Sequence, residues 1–288
     1  MFEKILFPTD FSEEAQTELR CITSIPGIRE IVLLHVIRVH PVPMGTEVIE
    51  GIAVQTAEIY LQKAKTYIAT LNPDIRVRLD KTTSTDIPGA ILEKAEEHGA
   101  GLIVIHANIK STMIGIFLNR VPSEVLCRIT KTNVMIMPTT LVGTLAGKRY
   151  EKFCPMICSR ILCPTDFSEL SLKVTTLAGT MKGVGEIILL HVVQEGKGDP
   201  EEAVKTAERR IKGVCDKLTM QGVKARTIVV TGKPEIEIPR VAQEMDVSLI
   251  WMRSAAQGCL HDFFFGSTVH DVIMNSTRPV IIVRSYDE

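Results

Sequence analysis

A surplus of positive charge is missing from this chain. Lysine and arginine number 33 against 34 aspartate and glutamate, a formal net charge of −1 over 288 residues. A dedicated nucleic-acid binder carries a basic face, so nucleic acid is excluded as the main partner. Long apolar runs are missing too. None approaches the roughly 18–20 residues that a membrane helix needs, and no membrane association is expected. The N-terminus reaches Pro8 and Asp10 too soon for the apolar stretch of a signal peptide, so the expected location is the cytoplasm. Low-complexity tracts are absent, and 45% hydrophobic with 23% charged residues is a globular composition. The length suits two domains, each with its own core.

Reactive motifs are equally scarce. Gly143-Thr144-Leu145-Ala146-Gly147-Lys148-Arg149 comes near a Walker A loop, but it is one spacer short and lacks the hydroxyl after lysine. No Gly-x-Gly-x-x-Gly follows either opening strand, which argues against a dinucleotide-binding site. His-Glu-x-x-His, Gly-x-Ser-x-Gly and EF-hand loops do not occur. No general acid and base pair stands out, so no catalysis is expected. Seven cysteines are an odd number. The cluster of Cys154, Cys158 and Cys163 has spacings that fit neither CxxC redox chemistry nor a zinc knuckle, and buried structural thiols are expected.

What the chain does have, it has twice. Pro8-Thr9-Asp10-Phe11-Ser12 returns 156 residues later as Pro164-Thr165-Asp166-Phe167-Ser168, and Leu33-Leu34-His35-Val36 returns at the same offset as Leu189-Leu190-His191-Val192. Two matches in one register mark an internal duplication. Each copy opens with a short apolar strand, Lys4 to Phe7 or Arg160 to Cys163, and then enters a helix that Ser12 or Ser168 is placed to cap. Apolar runs and amphipathic stretches alternate after that. The first copy has further strands at Ile31 to Val39, Ile75 to Leu79, Leu102 to Ile105 and Val134 to Met137, with residues 106–118 read as a loop. The second has them at Glu186 to Val193, Val223 to Val230, Ser248 to Met252 and Val280 to Val283. Strands alternating with helices imply a parallel sheet covered on both faces. The expected architecture is therefore α/β: two tandem open, doubly wound, five-stranded sheets, in domains 1–140 and 158–288 joined by a linker at 141–157. His35 and His191 sit inside apolar strands and read as hydrogen-bonded core histidines.

These residues together resemble the universal stress proteins, here as a tandem two-domain chain. The resemblance rests on Pro-Thr-Asp-Phe-Ser, on Leu-Leu-His-Val, and in the second copy on Val230-Thr231-Gly232-Lys233-Pro234 and Gly266-Ser267. It implies strand order 3-2-1-4-5 and an adenine nucleotide, AMP, ADP or ATP with or without magnesium, at the carboxyl ends of strands one and four. The family's loop runs Gly, two residues, Gly, nine residues, Gly-Ser. Its early glycines let backbone approach phosphates, and its last pair opens a helix whose free N–H groups receive an anion.

Laid on the second copy, that loop implies a site of Pro164, Thr165, Asp166, Val192, Met252, Arg253, Ala256, Gly266, Ser267 and Thr268. Arg253 replaces the first glycine. It covers the phosphates, fills the pocket, or pairs with an acidic neighbour, and the sequence leaves these three open. In the first copy the loop positions become His106, Ile109 and Asn119-Arg120. No glycine remains there, and no cofactor is expected in that half. The resemblance also implies pairing through the fifth strands, within one chain or in a homodimer. Phe263-Phe264-Phe265 cannot all face one core, so they either meet a partner protein or cover the next helix. Three functions of different class follow: a nucleotide-binding regulatory module without catalysis, an interaction scaffold without nucleotide, and a slow ATPase.

Overall fold

The computed structural model describes residues 2–39, 47–107, 109–112, 115–118, 120–129, 131–138, 156–181, 183–194, 199–253 and 267–284. The first half contains β1 (Lys4–Pro8), α1 (Glu13–Ile22), β2 (Glu30–Arg38), α2 (Glu47–Leu71), β3 (Arg76–Ser84), α3 (Ile87–Glu97) and β4 (Leu102–Ala107). It continues with β5 (Ile109–Thr112), β6 (Gly115–Leu118), α4 (Arg120–Arg128) and β7 (Asn133–Pro138). The second half contains β8 (Arg160–Pro164), α5 (Glu169–Thr180), β9 (Glu186–Val193), α6 (Pro200–Met220) and β10 (Ala225–Thr231). It ends with α7 (Pro234–Glu244), β11 (Leu249–Arg253), α8 (Ser267–Asn275) and β12 (Val280–Val283).

Ten strands form one sheet in the order β10-β9-β8-β11-β12-β7-β4-β1-β2-β3. Within each half of this sheet every pairing is parallel. At the centre β12 runs antiparallel to β7, with Val280 opposite Ile136, Ile281 opposite Met135 and Ile282 opposite Val134. Both strands are buried along their whole length. Left unpaired, two such uncharged edges would invite aggregation; laid together they remove each other. The two sheets expected from the sequence are thus halves of a single one. Its outer edges, β3 and β10, contain exposed residues and no fully buried one, as suits edge strands.

Alternation along the strands divides the core into two layers. Ile5, Phe7, Leu33, Val104, Cys163, Leu189 and Trp251 face a layer shared with Leu19, Leu61, Val174 and Ile211 of α1, α2, α5 and α6. Leu6, Leu34, Ile103, Leu162, Leu190 and Ile250 face the other, with Ile91, Val125, Val241 and Val272 of α3, α4, α7 and α8. Each layer runs through both halves, so the halves share their cores as well as their sheet.

Three local features differ from the expectations. The segment read as a loop at 106–118 contains a second, two-stranded antiparallel sheet of β5 and β6. Its strands have four residues each, too few for alternation to stand out. The third strand of the first half extends to Ser84. Cys21 and Cys127 each belong to a disulfide, where thiols were expected, because sequence spacing carries no sign of which cysteines meet in space. Cys158 and Cys163 are free and buried. Burial pushes the Cys158 thiol up to about 12 and raises Cys163 as well, so neither is reactive. No helix among the described residues is long and apolar enough to cross a membrane.

Candidate functional site

Each letter of the repeated pentapeptide has a physical task. Pro164 ends β8, and the Thr165 N–H donates to the Leu190 carbonyl at 2.8 Å, which holds the turn against β9. Thr165 Oγ1 accepts from the Phe167 N–H at 3.0 Å. Asp166 Oδ1 accepts from the Ser168 N–H at 2.9 Å and from Ser168 Oγ at 2.6 Å. Ser168 Oγ in turn caps α5 through the Ser171 N–H at 3.2 Å. Phe167 adopts the left-handed region at φ 62°, a conformation that costs a non-glycine residue about 1 kcal/mol or more. Its ring packs on His191 with centroids 4.3 Å apart, and His191 Nδ1 lies 2.8 Å from the Thr165 carbonyl. A carbonyl only accepts, so Nδ1 carries the proton. The first half repeats the arrangement: Phe11 at φ 63°, stacked on His35 at 4.4 Å, with His35 Nδ1 2.8 Å from the Thr9 carbonyl. Capping alone tolerates several residue types; this interlocked turn does not. Ser168→Ala is expected to lower stability by about 1 kcal/mol, read as a shift of the urea midpoint at constant slope.

A cavity of about 680 Å³ opens at the carboxyl end of β8 in the second half. The chain leaves β8 for β9 and β10 on one side and returns to β11 on the other, and open α/β sheets bind ligands at such a switch point. Pro164, Thr165, Asp166, Val192, Met252, Arg253 and Thr268 all line the cavity. Ser267 is the first residue of α8. Its side chain, together with Ala256, Gly266 and Phe263 to Phe265, lies outside the described residues. Phe167, Ser171, His191, Thr206 and Arg210 also line the cavity, and the motifs point to none of them as site residues.

The charges in the cavity are uneven. Burial works to raise the Asp166 pKa, but hydrogen bonds from Ser168 and Ser171 outweigh it and hold the carboxyl below its usual value; Asp166 is therefore an anion and an acceptor at neutral pH. Arg210 places its Cζ 4.3 Å above the Phe167 ring, a cation–π contact. Arg253 closes β11, and no carboxylate pairs with it among the described residues. Of the three roles open for Arg253, the ion pair with an acidic neighbour is therefore not made among them. Burial, and next the charge of Arg253, lower the pKa of Arg284 nearby.

The first half differs at the same places. Leu102 and Leu249 occupy matching registers beside β1 and β8, so His106 stands where the second half has Arg253. Its Nδ1 lies 2.5 Å from Oε1 of Glu18, which is 1% exposed and stands where the second half has Val174. Oε2 of Glu18 has no hydrogen-bond partner. Burial raises the Glu18 pKa to about 7, against the opposing pull of His106, with Asp10 and Glu14 adding repulsion. For His106, burial alone would lower the pKa, but the bond to Glu18 and its charge raise it.

Both groups hold protons more tightly folded than unfolded. The stability they confer is full below their ordinary values of 4.5 and 6.5 and is lost as pH rises through the raised ones. Between about pH 5 and pH 8 the chain is expected to lose on the order of 1–3 kcal/mol from this pair. Urea denaturation across that range checks it: Glu18→Gln should flatten the slope, and an unchanged slope would contradict the assignment.

Among the described residues, Asp80, Glu97 and His98 gather closely enough to suggest a metal. The Lys94 ammonium already lies 3.4 Å from Asp80 and 2.7 Å from Glu97, so this is an ion-pair network between α3 and β3.

The Universal stress protein MJ0577 of Methanocaldococcus jannaschii is 31% identical over 153 residues, covering 43% of this chain and 94% of that protein. The Universal stress protein YxiE of Bacillus subtilis is 37% identical over 83 residues, or 29% of this chain and 56% of that protein. The crystal structure of a universal stress protein from Archaeoglobus fulgidus DSM 4304 superposes with a TM-score of 0.71 over 99% of this chain and 97% of that one, at 20% identity, a likeness of fold. The Universal stress protein family matches residues 1–138 and again 158–284. With both copies matched, the chain belongs to the Universal stress protein family.

Proposed function

We propose that the second-half cavity binds one adenine nucleotide, AMP, ADP or ATP with magnesium accompanying ATP, and that the chain is a cytoplasmic, non-catalytic regulatory module of the stress response. The observation that carries this reading is convergence. Asp166 from the turn after β8, Val192 from β9, Met252 and Arg253 from β11 and Thr268 from α8 line one cavity beside the start of α8. In this reading Asp166 and the backbone at Val192 hold the base and ribose. The first N–H groups of α8, with Arg253, receive the phosphates, since a helix N-terminus favours an anion. Among the described residues no group in the cavity is placed as a general base next to an acid, and in this reading the nucleotide is held and not consumed.

The first half serves folding and pairing in this account. His106 and Glu18 bond to each other where the second half has Arg253 and Val174, and domains 1–140 and 158–288 work as one paired unit. Pairing inside the chain uses both fifth-strand edges, so no second copy is required there. Occupancy is read by a protein partner through the segment between Arg253 and α8.

Isothermal titration of the full chain with AMP and with ATP, followed by chromatography of the nucleotide, tests the reading. Saturation at one nucleotide per chain with the nucleotide intact is expected. No binding would favour the scaffold, to which Arg253 in place of a glycine lends its weight. Release of ADP over time would favour an ATPase.

A further inference from the structure

The two arginines of the cavity have more to say about the ligand. Arg210 projects from α6, the helix that packs on β9 and β10, and Arg253 closes β11. In the sheet, β8 lies between those two sides, so Asp166, which follows its end, sits between the elements that carry the two arginines, and all three line the cavity. The face of the Arg210 guanidinium is taken by Phe167, with Cζ 4.3 Å from the ring centroid. Stacking uses the face and leaves the in-plane N–H donors for a planar or tetrahedral anion. No carboxylate accepts from Arg210 or from Arg253 among the described residues. Asp166, the one acidic residue among the described residues lining the cavity, has its Oδ1 already engaged by Ser168.

The first half shows what the same fold does without this demand. Tyr60 takes the place of Arg210, stacked on Phe11 at 5.2 Å, and His106 takes the place of Arg253 and is bonded to Glu18. Both guanidinium groups are missing from the half whose loop has lost its glycines. Where the loop is partly retained, two arginines line a single cavity, carried by elements on either side of β8, the strand that leads to Asp166.

Resting on the nucleotide reading above, we propose that the natural ligand is a nucleotide carrying two separated anionic groups, one received by Arg253 and the other by Arg210. The distinguishing property is where the charge sits. A single polyphosphate chain places all of it on one side of the ribose; this cavity meets charge on both.

Two isomers with the same number of phosphates make the test: adenosine 3′,5′-bisphosphate, in which they are divided, and ADP, in which they form one chain. Titrating each into the full chain, with AMP as reference, should show the bisphosphate binding at least about tenfold more tightly than ADP, the worth of one further charge-assisted hydrogen bond. In Arg210→Tyr, which places in the second half the residue that already stacks on phenylalanine in the first, that preference should vanish while ADP stays within about threefold. Equal affinity of the isomers, or a preference that survives Arg210→Tyr, overturns the inference and leaves the nucleotide reading intact wherever AMP still binds. Absence of binding by all three overturns both.

Discussion

Arg253→Glu is expected to weaken binding of AMP and ATP at least about a hundredfold while leaving stability nearly unchanged. The substitution removes a guanidinium from the phosphate end of the cavity and puts a carboxylate in its place. Loss of a charge-assisted bond and the new repulsion together come to about 3 kcal/mol or more, a hundredfold in affinity. Arg253 is half-buried, makes no ion pair among the described residues, and lowers the pKa of Arg284, so the fold does not depend on its charge; a change within about 0.5 kcal/mol is expected. Arg253→Gly separates the two remaining roles of this residue. If the arginine receives phosphates, the glycine variant binds more weakly. Tighter binding by that variant would show that the arginine fills the pocket instead. Titration calorimetry beside urea denaturation reads both effects.

Trp251→Ala should lower stability by about 3–5 kcal/mol, the range for deleting a buried aromatic. Trp251 is fully buried at the centre of β11, and its ring centroid lies 5.6 Å from that of Phe2. Its indole N–H donates to the Val174 carbonyl at 3.0 Å, tying α5 to the sheet. Truncation opens a void and strips that carbonyl of its side-chain donor, two penalties that add. The residue also positions its neighbours, because Met252 and Arg253 follow it into the cavity. Nucleotide affinity should therefore fall along with stability, even though Trp251 does not line the cavity. Circular dichroism is the suitable probe, since the chain has a single tryptophan and the variant has no indole fluorescence. A loss below about 1 kcal/mol would contradict the packing described.

How far the sequence speaks depends on the range of the interaction. The pentapeptide and Leu-Leu-His-Val are local patterns, and they lead to the duplication, the alternation of strands and helices, and the position of Asp166 at a strand end. The length of α2, from Glu47 to Leu71, is legible from its amphipathic run and the Asn72-Pro73 stop. Contacts between distant residues leave no such trace. Glu18 and His106 lie 88 residues apart, and glutamate on an otherwise ordinary helix face gives no sign that it is buried.

Arg210 is similar, since it reaches Phe167 from a helix whose surface is full of charges. The merging of two sheets through β7 and β12 is foreshadowed only by their lack of charge, because an apolar strand reads the same at a buried seam as in a sheet interior. The hairpin of β5 and β6 escapes because four-residue strands are shorter than the window in which alternation becomes visible.

The account rests on one nucleotide site per chain, in the second half. Mass spectrometry of the purified full chain, native and denatured, counts a retained ligand most directly. One AMP, ADP or ATP per chain, lost on denaturation, is the predicted result, and its phosphate count would show what Arg253 accepts. A chain that carries no nucleotide and takes none up after incubation with ATP and magnesium would contradict the account, as would two nucleotides per chain.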